Sequence, residues 1–211
     1  MLPKENFSYR RLCYIGVISL LLLYACTKDD QPVTTHTNLE IIPTTDTLTQ
    51  VINANTLLTA NHPWYIKGWV YVSNESTLRI EPGSIIHILP GEQSNSGGLV
   101  ITRGAYLHAA GTAGSPIHIS IKEKGNVLLL GKAPVKNKMP LADHPDNKLM
   151  PGIAYGGTNE QDSSGVVRYV QLHYHSPMSE GLKLMGAGSR TVLQHVTLYD
   201  RHPGMKPIFL Y

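Results

Sequence analysis

The sequence has little phenylalanine, little charge and no helical pattern. It has two phenylalanines, Phe7 and Phe209, and only 16% of its residues are charged, with a formal net charge of +3. No stretch keeps apolar residues at i, i+3, i+4 and i+7 over 11 residues, so helices are excluded as the main element. Plentiful Ile, Val and Leu favour strands packed in aliphatic layers. The near-neutral charge gives no basic footprint for nucleic acid.

The N-terminus has the layout of a secretory signal. Lys4, Arg10 and Arg11 precede an apolar run over residues 12–24, and Ala25 stands just before Cys26. A run of about 13 residues is shorter than the roughly 20 that a spanning helix needs. We therefore expect residues 1–25 to be a cleavable signal peptide.

The stretch Leu23-Tyr24-Ala25-Cys26 resembles the lipobox of bacterial lipoproteins, although Tyr24 replaces the usual small residue. The resemblance implies that Cys26 is the first mature residue and carries acyl chains, palmitate among them, that hold the protein on a membrane. An ordinary signal peptide with an incidental cysteine is the alternative. Once Cys13 is removed and Cys26 is acylated, no disulfide is left, and the formal charge falls to +1.

The residues after Cys26 indicate a destination. The run Lys28-Asp29-Asp30 resembles the export signal that sends some lipoproteins to the cell surface. The alternative is that these residues are only the solvated start of a linker. We therefore expect a lipid-anchored protein of the outer membrane, exposed at the cell surface. Residues 26–50 are rich in threonine and have no amphipathic period, which predicts a lipidated tether before a domain over residues 51–211.

The domain reads as short strands between Gly, Pro, Asn and Ser. The predicted strands are Trp64–Val72, Thr77–Ile80, Ile85–Leu89, Leu99–Thr102, Tyr106–Ala109, Ile117–Lys122, Val127–Leu130, Val166–Tyr174, Gly181–Met185 and Thr191–Leu198. The pattern also repeats, since Val72 matches Ile101 and Leu78 matches Leu107, both 29 residues on, while Val166 matches Val192 at 26. Such a period predicts an all-β solenoid, a right-handed parallel β-helix, whereas a β-sandwich has no reason to repeat.

Four segments resemble a family of β-helix surface lipoproteins. TLRIEPGSII at residues 77–86 is similar to its TLTIEPGTVI coil, and GLVITRGA at 98–105 to ALIITRGAKL. VLLLGKAPV at 127–135 is similar to LVILGKAPI, and residues 156–170 resemble GGTNPNDNSGVLKYVRI. The resemblance implies the fold and no activity. Because relatives continue through further coils after the position of Tyr211, we expect a C-terminally truncated member with an incomplete β-helix and an open last edge.

The candidate binding residues are aromatic. Trp64, Tyr65, Trp69 and Tyr71 cluster in one early coil, where they either contact glycan or, for the two tryptophans, cap the open end of the solenoid. His173 and His175 share a strand face and His195 lies in the next repeat, but a zinc site needs more ligands. We predict no metal and no cofactor.

Catalysis lacks a signature in the strands. Lyases of this fold need acids around Ca²⁺, and glycosidases need paired carboxylates. Here Asp143, Asp146, Glu160 and Asp162 lie in a loop-like stretch, and Glu81 adjoins a turn. The sequence therefore favours a non-catalytic envelope protein whose β-helix is a structural element or binds glycan or a surface protein. The alternative is a divergent or inactive polysaccharide lyase or glycoside hydrolase.

Overall fold

The structure is a computed structural model that describes residues 39–49, 51–73, 75–92, 94–135, 154–176, 181–200 and 208–210. These residues form fifteen strands and, within those ranges, no helix. The strands are β1 Thr47–Leu48, β2 Val51–Ile52, β3 Thr56–Leu58, β4 Trp64–Lys67, β5 Trp69–Val72, β6 Thr77–Ile80, β7 Ile85–Leu89, β8 Gly98–Ile101, β9 Tyr106–Ala110, β10 Ile117–Ile121, β11 Asn126–Leu130, β12 Gly165–Tyr174, β13 Gly181–Met185, β14 Val192–Asp200 and β15 Ile208–Leu210.

The strands stack coil on coil into three parallel faces. Sheet A begins with β1, β4, β7 and β10, sheet B is β2, β5, β8, β11 and β13, and sheet C begins with β3, β6 and β9. The long strand β12 joins two of them, because residues 165–168 pair with β9 and residues 170–174 pair with β10. β14 stacks on β12 along nearly its whole length. Sheets A and C are thus one ten-stranded sheet folded at a corner.

This architecture is an all-β parallel β-helix, as the repeat predicts. The pairing register confirms the spacing residue by residue, because Val72 pairs with Ile101, Leu78 with Leu107 and Val166 with Val192. The β-sandwich alternative is wrong, since the pairings between successive coils are parallel. The parallel partners among the named strands lie one coil away along the chain.

The core fills the inside of the coils with aliphatic ladders. Alternate residues of each strand point inward, so that Ile66 pairs with Ile88 on sheet A, and Val70 with Leu99 on sheet B. Each such side chain is removed from water almost completely, which stabilises the fold by about 1.5–3 kcal/mol per large aliphatic residue. The largest fully buried side chains are Trp64, Leu58, Ile66, Leu78, Ile80, Ile86, Ile88, Leu99, Ile101, Leu107, Ile117 and Ile121.

One predicted strand is two. The run Trp64–Val72 is divided by Gly68, whose φ of 71° lies in the left-handed region that glycine adopts without a steric penalty. The chain turns there from sheet A to sheet B. A side chain at this position also meets Gly91, whose Cα lies 3.4 Å from an ideal Cβ on Gly68. The corner therefore depends on glycine at both places.

The β-helix begins earlier than the sequence predicts. Within the segment assigned to the tether, Thr47 and Leu48 form β1 and pair in parallel with Tyr65 and Ile66. Ile41 also bridges Thr56 through paired backbone hydrogen bonds. The tether boundary at residue 50 is therefore wrong for residues 39–49. This segment pairs with later strands, and its sequence has no amphipathic period that would predict the pairing. Residues 26–38 lie outside the described residues.

The last described strand covers an edge that the sequence predicts to be open. β15 pairs antiparallel with β14, placing Phe209 opposite Thr197 and Ile208 opposite Leu198. An antiparallel strand satisfies backbone donors and acceptors that stacking coils otherwise leave exposed.

Within the described part of the chain, no helix is long and apolar enough to cross a membrane.

Candidate functional site

The structure separates the four predicted aromatic contact residues. Trp64 points inward from β4, is 0% exposed, and donates a hydrogen bond from Nε1 to the carbonyl oxygen of Thr59 at 2.7 Å. Its prediction as a glycan contact is wrong, because strand alternation places it with Ile66 in the core. It is not an end cap either, since the coil of β1 to β3 lies before it.

Tyr65 lies on the other side of the same strand. It points outward from sheet A and stacks on His87 of the next coil, with ring centroids 5.4 Å apart. Trp69 and Tyr71 also point outward, but from sheet B on the far side of the Gly68 corner. The predicted aromatic cluster is therefore two separate surfaces and one core residue.

Trp69 lines a groove where sheet A turns into sheet B. We call this the Trp69 groove; its volume is about 540 Å³ and it is lined by Thr49, Lys67, Gly68, Trp69, Gly91, Glu92 and Ser94. The indole is half-buried, so it offers a hydrophobic surface without being lost to the core. A concave site with an aromatic side chain and a few polar groups is the usual form of a small-ligand site.

The Trp69 ring is held in place from two sides. Its Nε1 donates a hydrogen bond to Ser96 Oγ at 3.2 Å, and Ser94 Oγ donates to the Ser96 carbonyl oxygen at 3.1 Å. The ring lies over Gly98 of the neighbouring coil, where any Cβ overlaps the six-membered part of the indole. Glycine at 98 is therefore what lets the indole lie against the sheet, and the site is preorganised before a ligand arrives.

A charged pair stands at the rim of the Trp69 groove. Lys67 Nζ lies 2.9 Å from Glu92 Oε1, and both side chains are well exposed. The hydrogen bond from Lys67, and secondly its charge, lowers the pKa of Glu92. An exposed pair adds little stability. Its chemical contribution is a donor and an acceptor in the same groove as an aromatic ring.

Tyr71 continues the apolar surface of sheet B away from the groove. Together with Trp69 and Val135 it packs against a buried cluster on the outside of the coils, formed by Val100, Leu128, Leu130, Tyr155 and Met185. Burial raises the pKa of Tyr71, so its hydroxyl stays protonated. Val135 and Tyr155 follow β11 in the chain, so described residues on both sides of the gap after this strand contact the outside of sheet B.

The family follows from the sequence of these coils. A family model described as a pectate-lyase-like β-helix domain matches residues 50–203, which is well over half of the chain. The chain belongs to this family. No curated protein and no solved structure compared with the chain gives a match.

The arginines of this pectate-lyase-like β-helix differ in role. Arg79 Nε forms an ion pair with Glu40 Oε1 at 3.1 Å, and Arg103 donates from Nη1 to the Gly156 carbonyl oxygen at 3.2 Å. Arg168 is exposed on sheet C. The first two hold neighbouring segments onto the coils, whereas Arg168 points outward from the strand.

The three histidines that the sequence analysis considers as zinc ligands have different partners. His173 stacks on Tyr199 with centroids 4.5 Å apart, while His195 stacks on Tyr169 at the corner of β14. The Nδ1 atom of His175 lies 2.9 Å from the Ile121 carbonyl oxygen. Among the described residues, no group of three or more His, Cys, Asp and Glu side chains is arranged to hold a metal ion.

One acid near the loop, Asp162, has a structural contact. Asp162 Oδ2 accepts a hydrogen bond from the backbone N–H of Lys132 at 2.7 Å, which closes the base of the segment after β11. Asp143 and Asp146 lie outside the described residues, as do Cys26, Lys28, Asp29 and Asp30.

Sequence reasoning missed the polar residues that line the Trp69 groove, which are Thr49, Lys67, Glu92 and Ser94. A partial signal exists, because Ile66, Val70 and Val72 mark one face of the run and leave Lys67 on the opposite face with Trp69. Glu92 and Ser94 lie in a loop one coil away and carry no pattern. Only the stacking of coils brings them to the groove.

Proposed function

We propose that this protein is a non-catalytic lipoprotein of the cell envelope whose β-helix binds glycan at the Trp69 groove. The observation that carries the proposal is the preorganised indole beside a donor and acceptor pair. Sugar rings have apolar faces ringed by hydroxyls, and an aromatic side chain flanked by hydrogen-bonding groups complements both. Lys67, Glu92 and Ser94 supply those groups around Trp69.

The envelope part of the proposal rests on the N-terminal residues. Acyl chains on Cys26 anchor the protein durably, because each buried CH₂ contributes about 0.8 kcal/mol. Lys28, Asp29 and Asp30 direct it to the outer surface of the outer membrane. There the Trp69 groove meets extracellular glycan or the glycan of a neighbouring surface protein.

Binding rather than cleavage is favoured by the carboxylates. Among the described residues that line the groove, Glu92 is the one acid, and it is paired with Lys67. A glycosidase needs two carboxylates with different protonation states, and a lyase of this fold needs several acids around Ca²⁺. Family membership favours the second candidate, a divergent polysaccharide lyase or glycoside hydrolase, because the family is described as pectate-lyase-like.

A glycan array with the full chain tests the binding. The wild-type chain is expected to give selective signals, and Trp69→Ala is expected to weaken them at least tenfold, which corresponds to about 1.4 kcal/mol. Tyr65→Ala is the matched control, since it removes an outward aromatic residue from sheet A. Equal binding by all three chains contradicts the proposed site.

Analysis of the bound glycan separates the two candidate functions. A binding protein leaves the glycan intact after long incubation, whereas a hydrolase produces new reducing ends and a lyase produces unsaturated ends. The envelope placement is tested by Cys26→Ser, which is expected to release the protein from the membrane fraction. Protease treatment of intact cells should cut the wild-type chain, and complete protection contradicts surface exposure.

A further inference from the structure

The charges that line the Trp69 groove cancel each other. Lys67 and Glu92 are the charged residues among its described lining, and their ion pair at 2.9 Å brings one positive and one negative charge together. Gln50 and Gln93, which adjoin lining residues in the sequence, are uncharged. The groove therefore offers a ligand polar groups without a net charge.

The charged residues of the neighbouring coils also balance. In the coil before the groove, Asp46 precedes β1. In the coil after it, Lys122, Glu123 and Lys124 lie between β10 and β11, and Lys124 bridges Ser96 through its backbone. These four residues carry two charges of each sign. They therefore give the groove no excess charge that would attract an ionic ligand.

The backbone N–H groups of the two lining glycines are already used. Gly68 donates to the carbonyl oxygen of Leu89 at 3.0 Å, and Gly91 donates to that of Ser96 at 3.0 Å. A loop that holds a carboxylate or phosphate through its backbone does so with free N–H groups directed at the ligand. These two N–H groups are therefore not available to an anion.

A bridging metal ion does not fit the lining either. An acidic glycan can be held through Ca²⁺, which takes about six to eight oxygen ligands, carboxylates among them. Glu92 is the one acid among the described lining residues, and Lys67 contacts one of its two oxygens. The described lining thus has no unpaired cation and too few carboxylates to bind an acidic sugar.

The ion pair suits adjacent hydroxyl groups of an uncharged sugar. An ammonium group has three N–H donors, and Lys67 directs one of them at Glu92 Oε1. One sugar hydroxyl can accept a hydrogen bond from Lys67 while the next donates to Glu92, and both charges stay paired. The apolar face of the same sugar ring then packs against the Trp69 indole.

We propose that the Trp69 groove selects uncharged glycans with adjacent hydroxyl groups and rejects glycans that carry carboxylates. The inference rests on the proposed glycan binding at this groove and names the class of glycan that it takes. A carboxylate beside the pair is attracted by Lys67 and repelled by Glu92, so the two effects offset each other while the carboxylate loses hydration. Since Lys67 lowers the pKa of Glu92 by its hydrogen bond and secondly by its charge, the glutamate stays ionised at neutral pH.

A glycan array read with the full chain tests the selection. Each uncharged oligosaccharide is compared with its counterpart oxidised to the uronate at C6, in about 50 mM salt so that surface charges are weakly screened. The wild-type chain is expected to bind the uncharged member at least tenfold more tightly. Glu92→Gln leaves Lys67 unpaired. It is expected to raise uronate binding about fivefold and to lower binding of the uncharged member about fivefold, because a neutral acceptor is weaker.

Glu160→Gln is the matched control, because it removes the same charge from an exposed residue outside the groove lining. It should keep the wild-type preference. A wild-type preference for uronates that Trp69→Ala abolishes overturns the selection and leaves glycan binding at the groove standing. Glu92→Gln without a gain in uronate binding also overturns the selection. The absence of any signal that depends on Trp69 overturns both proposals. Circular dichroism checks that each variant is folded.

Discussion

Tyr169 stacks on His195 with ring centroids 4.5 Å apart. Both residues have a left-handed backbone conformation, with φ of 47° and 53°. They stand at the same corner of successive coils, where β12 and β14 pass from sheet C to sheet A. Residues other than glycine rarely adopt this conformation, because the Cβ crowds the following carbonyl oxygen at roughly 1–2 kcal/mol per residue. Stacking between coils offsets part of that cost.

Substitutions at Tyr169 should separate the backbone from the ring. Tyr169→Asn is expected to lower the free energy of unfolding by about 0.5–1.5 kcal/mol, because asparagine tolerates the left-handed region and only the stack is lost. Tyr169→Val should cost at least a further 1 kcal/mol, since a β-branched residue is strained there. Urea unfolding measures both. Equal destabilisation by the two variants contradicts the role of the corner.

Gly98 is predicted to be irreplaceable for the Trp69 groove. Gly98→Ala forces its Cβ into the Trp69 ring and toward the Asn126 carbonyl oxygen at 2.5 Å, so it should destabilise the fold by about 1–3 kcal/mol and displace the indole. Gly114→Ala is the control, because nothing lies within 4 Å of its Cβ. Thermal unfolding and tryptophan emission report the two effects. A Gly98→Ala chain that matches the control contradicts the packing.

The two tryptophans should respond in opposite ways to truncation. Trp64→Ala empties a fully buried site and leaves the Thr59 carbonyl oxygen without its donor, at a cost of about 3–5 kcal/mol. Trp69→Ala removes a half-buried side chain and should cost much less stability, while it weakens glycan binding at least tenfold. Chemical denaturation and the glycan array together check this division. A Trp69→Ala chain as unstable as Trp64→Ala contradicts it.

The lowered pKa of His87 predicts a pH dependence of stability. Burial and Lys122 favour its neutral form in the folded chain, whereas the unfolded side chain titrates near about pH 6.5. Between the pKa of His87 in the folded chain and about pH 6.5, the unfolded state binds more protons than the folded state. The free energy of unfolding therefore keeps its full value above that window and falls as the pH drops through it. His87→Gln should flatten the pH dependence of the free energy of unfolding within this window. Lys122→Gln should raise the pKa of His87 and narrow the window.

The sequence predicts the coils well because their inward positions repeat. Val72 with Ile101 and Val166 with Val192 are aliphatic pairs whose spacing is the coil length, and the structure pairs them as expected. The alternation of apolar residues in 64–72 also indicates that Trp64 is buried, because Trp64 shares a strand face with Ile66 and Val70. What the alternation lacks is the corner at Gly68, which sends Tyr65 and Trp69 to different sheets.

Features that arise only when coils stack on one another leave no pattern in any single segment of the sequence. Tyr169 and His195 look like ordinary strand residues, and nothing local marks them as corners of strands shared by two sheets. The start of the β-helix at Ile41 and β1 depends on pairing with later strands, so a threonine-rich stretch reads as a tether. Glu92 and Ser94 reach the Trp69 groove for the same reason.

Tryptophan fluorescence during glycan titration tests the central claim most directly. The chain has two tryptophans, Trp64 in the core and Trp69 in the groove. With a glycan selected on the array, the emission of the wild-type and Trp64→Phe chains should change and saturate, while the glycan stays intact. The Trp69→Phe chain should show no change. A saturable signal that persists in Trp69→Phe, or cleavage of the glycan during the titration, contradicts a non-catalytic binding site at Trp69.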